Sequence, residues 1–198
     1  MKSRPKQKPR KRKAAKASAR KPTIGGKYNL LVTFNPNHAA AAQKELAAAL
    51  ARIGEKPKIS AAQSEGIFKV NVSDARKVIS RLEKLCHADP NLFAATYHYT
   101  PIDAWCGSSL SEMQRSVRKL AAAIHDNEKW KLAINKRMWD RMNAAELVTK
   151  LADVVEKEKV DLEKPAKIIQ VEIIGREAGI SLLQPGEFLN IPKLKGVA

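Results

Sequence analysis

The chain has few of the residues and patterns from which several classes of protein are built. Only two of its 198 residues are cysteines, Cys86 and Cys106, which is too few for a disulfide framework and favours a reducing compartment. It has no run of about 18 apolar residues, so we expect no transmembrane helix and no membrane partner. We therefore expect a cytoplasmic protein, with a nuclear location as the alternative in a eukaryote.

Motifs that carry catalysis or bind metal ions are also missing. The two cysteines and four histidines have no metal-ligand spacing, and the chain has neither a Gly-rich phosphate loop nor a G-x-S-x-G nucleophile elbow. Cys86 falls on the apolar face of a predicted helix, which favours a buried, inert thiol. We therefore predict that the chain is not an enzyme and has no metal site and no cofactor. An enzyme with an unrecognised site is the alternative.

Acidic residues are absent from the first 21 positions, which contain eleven lysines and arginines. The formal net charge of +17 therefore divides into +11 for this segment and +6 for the rest, where 26 bases face 20 acids. Residues 1–26 have almost no large apolar side chain, so burial cannot offset the entropy of ordering them, and we predict a disordered basic tail. The charge predicts a polyanionic partner, and the lack of an apolar face favours nucleic acid over a membrane.

The first half of the remaining chain alternates between strand and helix patterns. Two amphipathic helices are predicted, with apolar faces over 46–53 and 78–86. The order is strand, helix, strand, strand, helix, strand, which is the split-βαβ, ferredoxin-like pattern, and we predict an N-terminal domain over 27–100. Strand patterns occur in four segments: near 30–34, 58–61, 67–72 and 93–99.

After a predicted joint at 100–103, helix and strand patterns alternate again. Ser109 with Glu112 and Asn143 with Glu146 form capping boxes that begin two helices. The predicted order is helix, strand, helix, strand, strand, which fills a second domain over 101–198 and gives an α+β fold class. The strand patterns lie at 129–137, 168–174 and 180–183.

Basic residues of the body favour binding to a phosphate backbone. Alternation places Lys129 and Lys131 on the strand face opposite Trp130, and Lys136 and Arg137 follow at the strand end. A helix face supplies a second basic stripe, and a helix over 76–84 supplies a third, weaker one; solvation of an exposed surface is the alternative for all three. The candidate RNA-binding residues are Arg115, Arg118, Lys119, Lys129, Lys131, Lys136, Arg137, Arg141 and Arg176.

Aromatic residues make up 5% of the chain, which argues against a broad platform for stacking unpaired bases. Trp139, His98, Tyr97 and Tyr99 are candidates for single stacking contacts. Core packing is the favoured interpretation for Tyr97 and Tyr99, because they match the apolar register of their strand. We therefore expect the protein to read the shape and backbone of a structured RNA, with one terminus or loop held.

Several stretches resemble known RNA-binding proteins. K-W-K-L-A-I-N-K-R at 129–137, the helix from Asn143, I-I-Q-V-E-I-I-G at 168–175 and I-S-L-L at 180–183 resemble a THUMP domain, the RNA-binding module of several tRNA-modifying enzymes. The first half resembles the ferredoxin-like domain that precedes THUMP in these proteins. P-I-D-A-W-C at 101–106 resembles the linker of the tRNA acetyltransferase adaptor family.

The resemblance implies a non-catalytic adaptor that grips the acceptor stem and 3′ end of tRNA. Such an adaptor presents the tRNA to a separate RNA cytidine acetyltransferase, which forms acetylcytidine. Lys136 and Arg137 match basic positions of the THUMP strand, so a tRNA-binding role carries over to them; Glu172 matches the family's V-E-I without a chemical role. The alternative is a THUMP-type RNA-binding module that serves another RNA-modifying enzyme or ribosome assembly.

Overall fold

A computed structural model describes residues 28–196 of the protein. The predicted basic tail at 1–26 lies outside the described residues. The described chain contains nine strands, arranged in two sheets, and five α-helices, which confirms the predicted α+β fold class.

The first sheet is built from strands and helices in the order that the sequence predicts: strand, helix, strand, strand, helix, strand. Its strands lie in the order β2-β3-β1-β4, and all neighbouring pairs are antiparallel. Asp74 caps α2 by accepting hydrogen bonds from two backbone amides, as its position before the helical pattern predicts. The elements are β1 (Leu30–Phe34), α1 (Ala39–Arg52), β2 (Lys58–Ala61), β3 (Ile67–Asn71), α2 (Ala75–Ala88) and β4 (Thr96–Pro101).

Strand alternation divides the residues of the first sheet between two environments. Leu30 and Val32 of β1 are fully buried in a core shared with α1 and α2. Leu31, between them, belongs to a separate apolar cluster, and Thr33 lines a cleft on the same side. The helices therefore cover one face of the sheet and leave the other to meet the second sheet.

The second sheet combines a parallel pair with two antiparallel pairs. Its order is β5-β8-β7-β6, with β6 and β7 parallel, so that β6 is an edge strand. β5 was not predicted, because it is a four-residue strand inside the segment interpreted as a linker. The joint between β4 and β5 is only two residues long. The elements are β5 (Ala104–Gly107), α3 (Leu110–Ala121), β6 (Trp130–Arg137), α4 (Ala144–Ala152), β7 (Lys167–Ile174) and β8 (Glu177–Leu183).

The C-terminal segment returns to the first sheet. β9 (Leu189–Asn190) pairs with β4, and α5 (Ile191–Leu194) follows it. Leu189 and Ile191 are buried in the core formed with α1 and α2. The predicted domain boundaries, 27–100 and 101–198, remain predictions, and this segment packs with the first of the two units.

The uncovered faces of the two sheets meet at an apolar junction. Leu31 and Ile67 of the first sheet pack there with Ile102 and with Ile174 of β7. Gly179 of β8 makes room for this contact, because a Cβ atom at that position would lie 2.9 Å from Ile102 Cδ1. The junction therefore fixes a close approach between the sheets next to the cleft that Thr33 lines.

Polar contacts around the junction tie the sheets together. Arg76 of α2 pairs with Asp103 at 2.7 Å and donates to the Leu182 carbonyl at 2.9 Å. Trp105 Nε1 donates to the Tyr28 carbonyl at 2.6 Å. Apolar packing with charge-assisted hydrogen bonds of this kind holds the walls of the cleft in one arrangement.

Candidate RNA-binding surface

Helices α3 and α4 pack on one face of the second sheet and orient the basic residues outward. The predicted N-caps are confirmed, since Ser109 accepts from the Glu112 amide and Asn143 from the Glu146 amide. Met113 and Val117 of α3 are fully buried, as the predicted apolar face requires. The basic stripe of α3 therefore points to solvent, and all its members are exposed: Arg115, Arg118 and Lys119.

A second group of arginines gathers where β6 ends. The Gly175 amide donates to the Arg137 carbonyl at 2.9 Å, which places the turn that carries Arg176 beside Arg137. The Arg176 carbonyl in turn accepts from the Ser108 amide at 3.0 Å, so the start of α3 joins the same region. Arg141 follows in the loop after β6. We call Arg137, Arg141 and Arg176 the β6-end arginines.

Six of the nine predicted residues are exposed and form no ion pair within 28–196. They are the β6-end arginines and the three residues of the α3 stripe. A cation without a protein partner keeps its full charge for a ligand, whereas a paired cation must first give up its partner. These six are therefore the residues best placed to contact a polyanion.

Lys136 has a structural partner. It is half-buried, its Nζ donates to the Met142 carbonyl at 2.8 Å, and the same atom lies 5.7 Å from the centroid of the Trp139 ring. The ammonium group therefore stabilises the loop after β6 through a hydrogen bond and a cation–π contact. In this respect Lys136 differs from its neighbour Arg137, although the sequence analysis paired the two.

Lys129 and Lys131 lie at the opposite end of β6, at distances from Arg137 of roughly 26 Å and roughly 20 Å, at about 3.3 Å per residue. Lys129 pairs with Asp161 at 2.8 Å, and this hydrogen bond is the main reason why the pKa of Asp161 falls to about 2. Lys131 Nζ donates to the Leu162 carbonyl at 3.3 Å. The structure thus separates the predicted strand cluster into two ends with different partners.

The weaker basic group on α2 also has internal partners. Arg76 belongs to the polar contacts between the sheets, and Arg81 donates to the Ile53 carbonyl. Trp139, a candidate for base stacking, is 8% exposed and donates through Nε1 to the Ser108 carbonyl at 3.0 Å. The stacking prediction for Trp139 is therefore wrong, because the ring is part of the core. Tyr99 is fully buried, which confirms core packing for that residue.

The uncovered sheet faces enclose a cleft of about 410 Å³ that the sequence analysis did not predict. We call it the inter-sheet cleft. Parallel pairing sets Asn135 of β6 directly opposite Glu172 of β7, and alternation adds Arg137 and Gln170 on the same face. The lining residues are Thr33, His98, Thr100, Ile134, Asn135, Lys136, Arg137, Gln170, Glu172, Leu183 and Phe188.

Glu172 is the least expected residue of the cleft, because it is a carboxylate with 8% exposure. Asn135 Nδ2 and Gln170 Nε2 both donate to its Oε1 atom at 2.8 Å. Burial raises the pKa of Glu172, and the two amides and the nearby Arg137 cation only partly oppose that shift. The cleft thus has a desolvated carboxyl group at its base and an exposed guanidinium beside it.

His98 of β4 faces this pair from the first sheet. Its Nδ1 lies 3.1 Å from Thr33 Oγ1. Partial desolvation, followed by the Arg137 cation, lowers the pKa of His98. One sequence signal did exist for this site: Gln170 and Glu172 interrupt an otherwise apolar strand, but the partner strand and its register cannot be read from the sequence.

Among residues 28–196, no three His, Cys, Asp or Glu side chains are arranged to hold a metal ion. None of the helices described there is long and apolar enough to cross a membrane.

Comparison with protein families identifies a THUMP domain at residues 107–183. This region runs from the end of β5 to the end of β8 and contains all six of the exposed cations that form no ion pair within 28–196. A THUMP domain is therefore present in the second half of the chain, as the resemblance predicted, and it points to RNA binding in RNA modification. Comparison with curated proteins gave no match.

Solved structures share the fold at low sequence identity. PH1313 from Pyrococcus horikoshii aligns with a TM-score of 0.59 and 14% identity over 79% of this chain and 55% of that one. TrmN from Thermus thermophilus aligns with a TM-score of 0.51 and 16% identity, over 79% of this chain and 46% of that one. A predicted N6-adenine-specific DNA methylase from Listeria monocytogenes aligns with a TM-score of 0.53 and 12% identity, over 78% of this chain and 40% of that one. The chain spans about half the length of these proteins, and the likeness shows the fold alone.

Proposed function

We propose that the protein is a non-catalytic tRNA-binding adaptor. It grips the acceptor stem and 3′ end of tRNA and presents the tRNA to a separate RNA cytidine acetyltransferase, which forms acetylcytidine. The observation that carries the proposal is the THUMP domain at 107–183, together with the exposed cations without ion pairs on its surface. The first unit, with its split-βαβ order, takes the place of the ferredoxin-like domain that the resemblance implies.

The charge distribution supports a backbone-reading mode. The α3 stripe and the β6-end arginines lie on one domain without acidic partners among the described residues, so they attract phosphates rather than neighbouring side chains. Each phosphate contact releases condensed counterions, which makes such binding strong at low salt and steeply salt-dependent. This mode suits a structured RNA whose bases are paired.

The fixed relation between the two units supports the adaptor part of the proposal. The segment that resembles the adaptor linker, 101–106, carries Asp103, which pairs with Arg76, and Trp105, which donates to the Tyr28 carbonyl. An adaptor must hold its tRNA in one orientation so that an enzyme reaches one nucleotide. A linker that fixes both units against each other serves that purpose.

Binding to the 3′ end is tested with intact tRNA and the same tRNA stripped of its 3′ CCA, across a salt series. We expect removal of the CCA to lower affinity for the full chain and for a chain without residues 1–22. Equal binding of every RNA, with all binding lost together with residues 1–22, would show that the THUMP domain is not the RNA reader.

The acetylation step is tested by mixing the protein with an RNA cytidine acetyltransferase and tRNA and measuring acetylcytidine by mass spectrometry of the digested RNA. We expect the protein to raise the yield, and a variant with the β6-end arginines replaced by glutamine to raise it less. Absence of stimulation would remove the acetyltransferase from the proposal. Recovery of ribosomal particles or of another RNA-modifying enzyme in a pull-down would then favour the alternative role.

A further inference from the structure

The inter-sheet cleft combines groups that the phosphate-binding surface does not need. We propose that it is a pocket for one unpaired nucleotide of the bound RNA, whose base donates an exocyclic amine to Glu172 and whose phosphate lies against Arg137. The inference rests on the proposed RNA-binding function and adds to it a subsite with a base preference.

The two carboxylate oxygens of Glu172 have different surroundings. Its Oε1 atom accepts from Asn135 and Gln170, whereas Oε2 accepts no hydrogen bond from residues 28–196. No side-chain polar atom in that part of the chain is both fully buried and without a partner, so Oε2 must reach the surface of the cleft. A nine-tenths buried carboxylate with an unused oxygen is costly, and a donor from a ligand would satisfy it.

The charges of Arg137 and Glu172 restrict the charge of a ligand in the cleft. Arg137 lines the same cleft, acts electrostatically on both Glu172 and His98, and has no ion pair within the described chain. A cationic ligand would be repelled by Arg137, and an anion placed against Glu172 would be repelled by the carboxylate. A nucleotide avoids both conflicts, because its base carries a neutral amine and its backbone carries an anion.

The size and shape of the cleft suit a nucleotide base. The cleft volume of about 410 Å³ lies within the range of roughly 300–1,000 Å³ found for small-molecule sites. Phe188, an aromatic residue with 42% exposure, provides a face on which a planar base can stack, and Leu183 is an apolar wall. A base within a duplex cannot enter, because its amine is paired and its neighbours are stacked on it.

The free oxygen also sets the base preference. Adenine, cytosine and guanine carry an exocyclic amine, whereas uracil presents a carbonyl oxygen at the corresponding position. Oε1 is already occupied by two amides, so a donor from a ligand has Oε2 as its acceptor. The cleft should therefore favour amine-bearing bases over uracil.

The test uses the full chain and fluorescent RNA hairpins that are identical except for a single-stranded 3′ extension of adenine, cytosine or uracil, with a blunt hairpin as reference. We expect adenine and cytosine extensions to bind about tenfold more tightly than uracil, which is the order of magnitude for one hydrogen bond to a charged group. Glu172→Gln should reduce or reverse this preference. The glutamine oxygen keeps both amide contacts, and its NH₂ group then points into the cleft and donates to uracil.

Glu158→Gln is the matched control, because it removes the same charge from an exposed position outside the cleft. It should change all affinities together and leave the base preference intact. Phe188→Ala, a truncation at an exposed position, should lower binding of every extended hairpin toward that of the blunt one and thus tests the pocket without touching the buried carboxylate.

The outcomes separate the two levels of the argument. If the wild type binds all hairpins equally, including the blunt one, RNA binding stands and the nucleotide pocket is refuted. If a base preference exists but Glu172→Gln leaves it unchanged, the preference arises elsewhere and the pocket is again refuted. If no RNA binds, the proposed function itself fails and the inference fails with it.

Discussion

The β6-end arginines allow a quantitative test of phosphate binding. Replacing Arg137 and Arg176 with glutamine removes two exposed charges that have no ion pair among the described residues. Each phosphate contact contributes about 0.9 to the slope of log K against log salt on duplex B-DNA and about 0.7 on single strands, so the double variant should lose about 1.4–1.8 from that slope. Affinity should fall most at low salt and converge with the wild type at high salt.

Fluorescence anisotropy with labelled tRNA at five or more salt concentrations measures this slope directly. Lys129→Gln is the matched control, because Lys129 already pairs with Asp161 and lies at the other end of β6. That control should change the slope much less than either arginine variant. Thermal melting of each variant should match the wild type, since both arginines are exposed.

An unchanged slope in the double variant would refute the reasoning, because two lost phosphate contacts cannot leave counterion release unaffected. A slope change in Lys129→Gln as large as that of one arginine would also contradict it. In that case an ion pair on this surface would not reduce the availability of a cation for RNA, and Lys129 would bind phosphate as well as Arg137 or Arg176 does.

Three further predictions concern stability. Burial raises the folded-state pKa of Glu172, so the contribution of this residue to the free energy of unfolding is full at low pH and is lost as pH rises through that pKa. The melting temperature of Glu172→Gln minus that of the wild type should therefore grow between about pH 4 and about pH 8. A constant difference would contradict the buried-acid argument. Lys136→Met should lower the free energy of unfolding by about 1–2 kcal/mol, as measured by urea unfolding, because the contacts with the Met142 carbonyl and the Trp139 ring are lost. An unchanged free energy of unfolding would show that these contacts do not hold Lys136, which would then be available to bind RNA. Arg76→Gln should lower stability by about 1 kcal/mol because the half-exposed pair with Asp103 is lost, and an unchanged unfolding midpoint would show that the apolar junction alone fixes the sheets.

Local patterns predicted most of the elements that carry the site. Capping at Ser109 and Asn143 and the apolar face of α3 are local features, and each is confirmed. β9 was missed because it has two residues, too few for a period to be visible, and β5 was missed because its four residues fall in the segment interpreted as a linker. β9 exists through pairing with β4 about 90 residues earlier in the chain, and no local pattern records such a partner.

The candidate site divides in the same way. Helical periodicity predicted that Arg115 and Arg118 face solvent, because exposure follows from the period alone. The partners of Lys129, Lys131 and Lys136 were not predicted, since each partner is an acceptor in a loop whose position depends on the tertiary fold. Pairing, rather than charge or position on the strand, is what separates these lysines from Arg137.

Glu172 shows what stability alone does not explain. Both amides that contact it donate to one oxygen, so a glutamine would satisfy them equally well without placing a charge in a desolvated site. The fold therefore uses only one oxygen of the carboxylate, although most of the side chain is desolvated. The part that the fold leaves unused reaches a cleft beside Arg137, where a donor from outside the protein would offset that cost. A residue that is expensive for the folded chain and complete only with a ligand is better understood as part of a binding site than as part of the core.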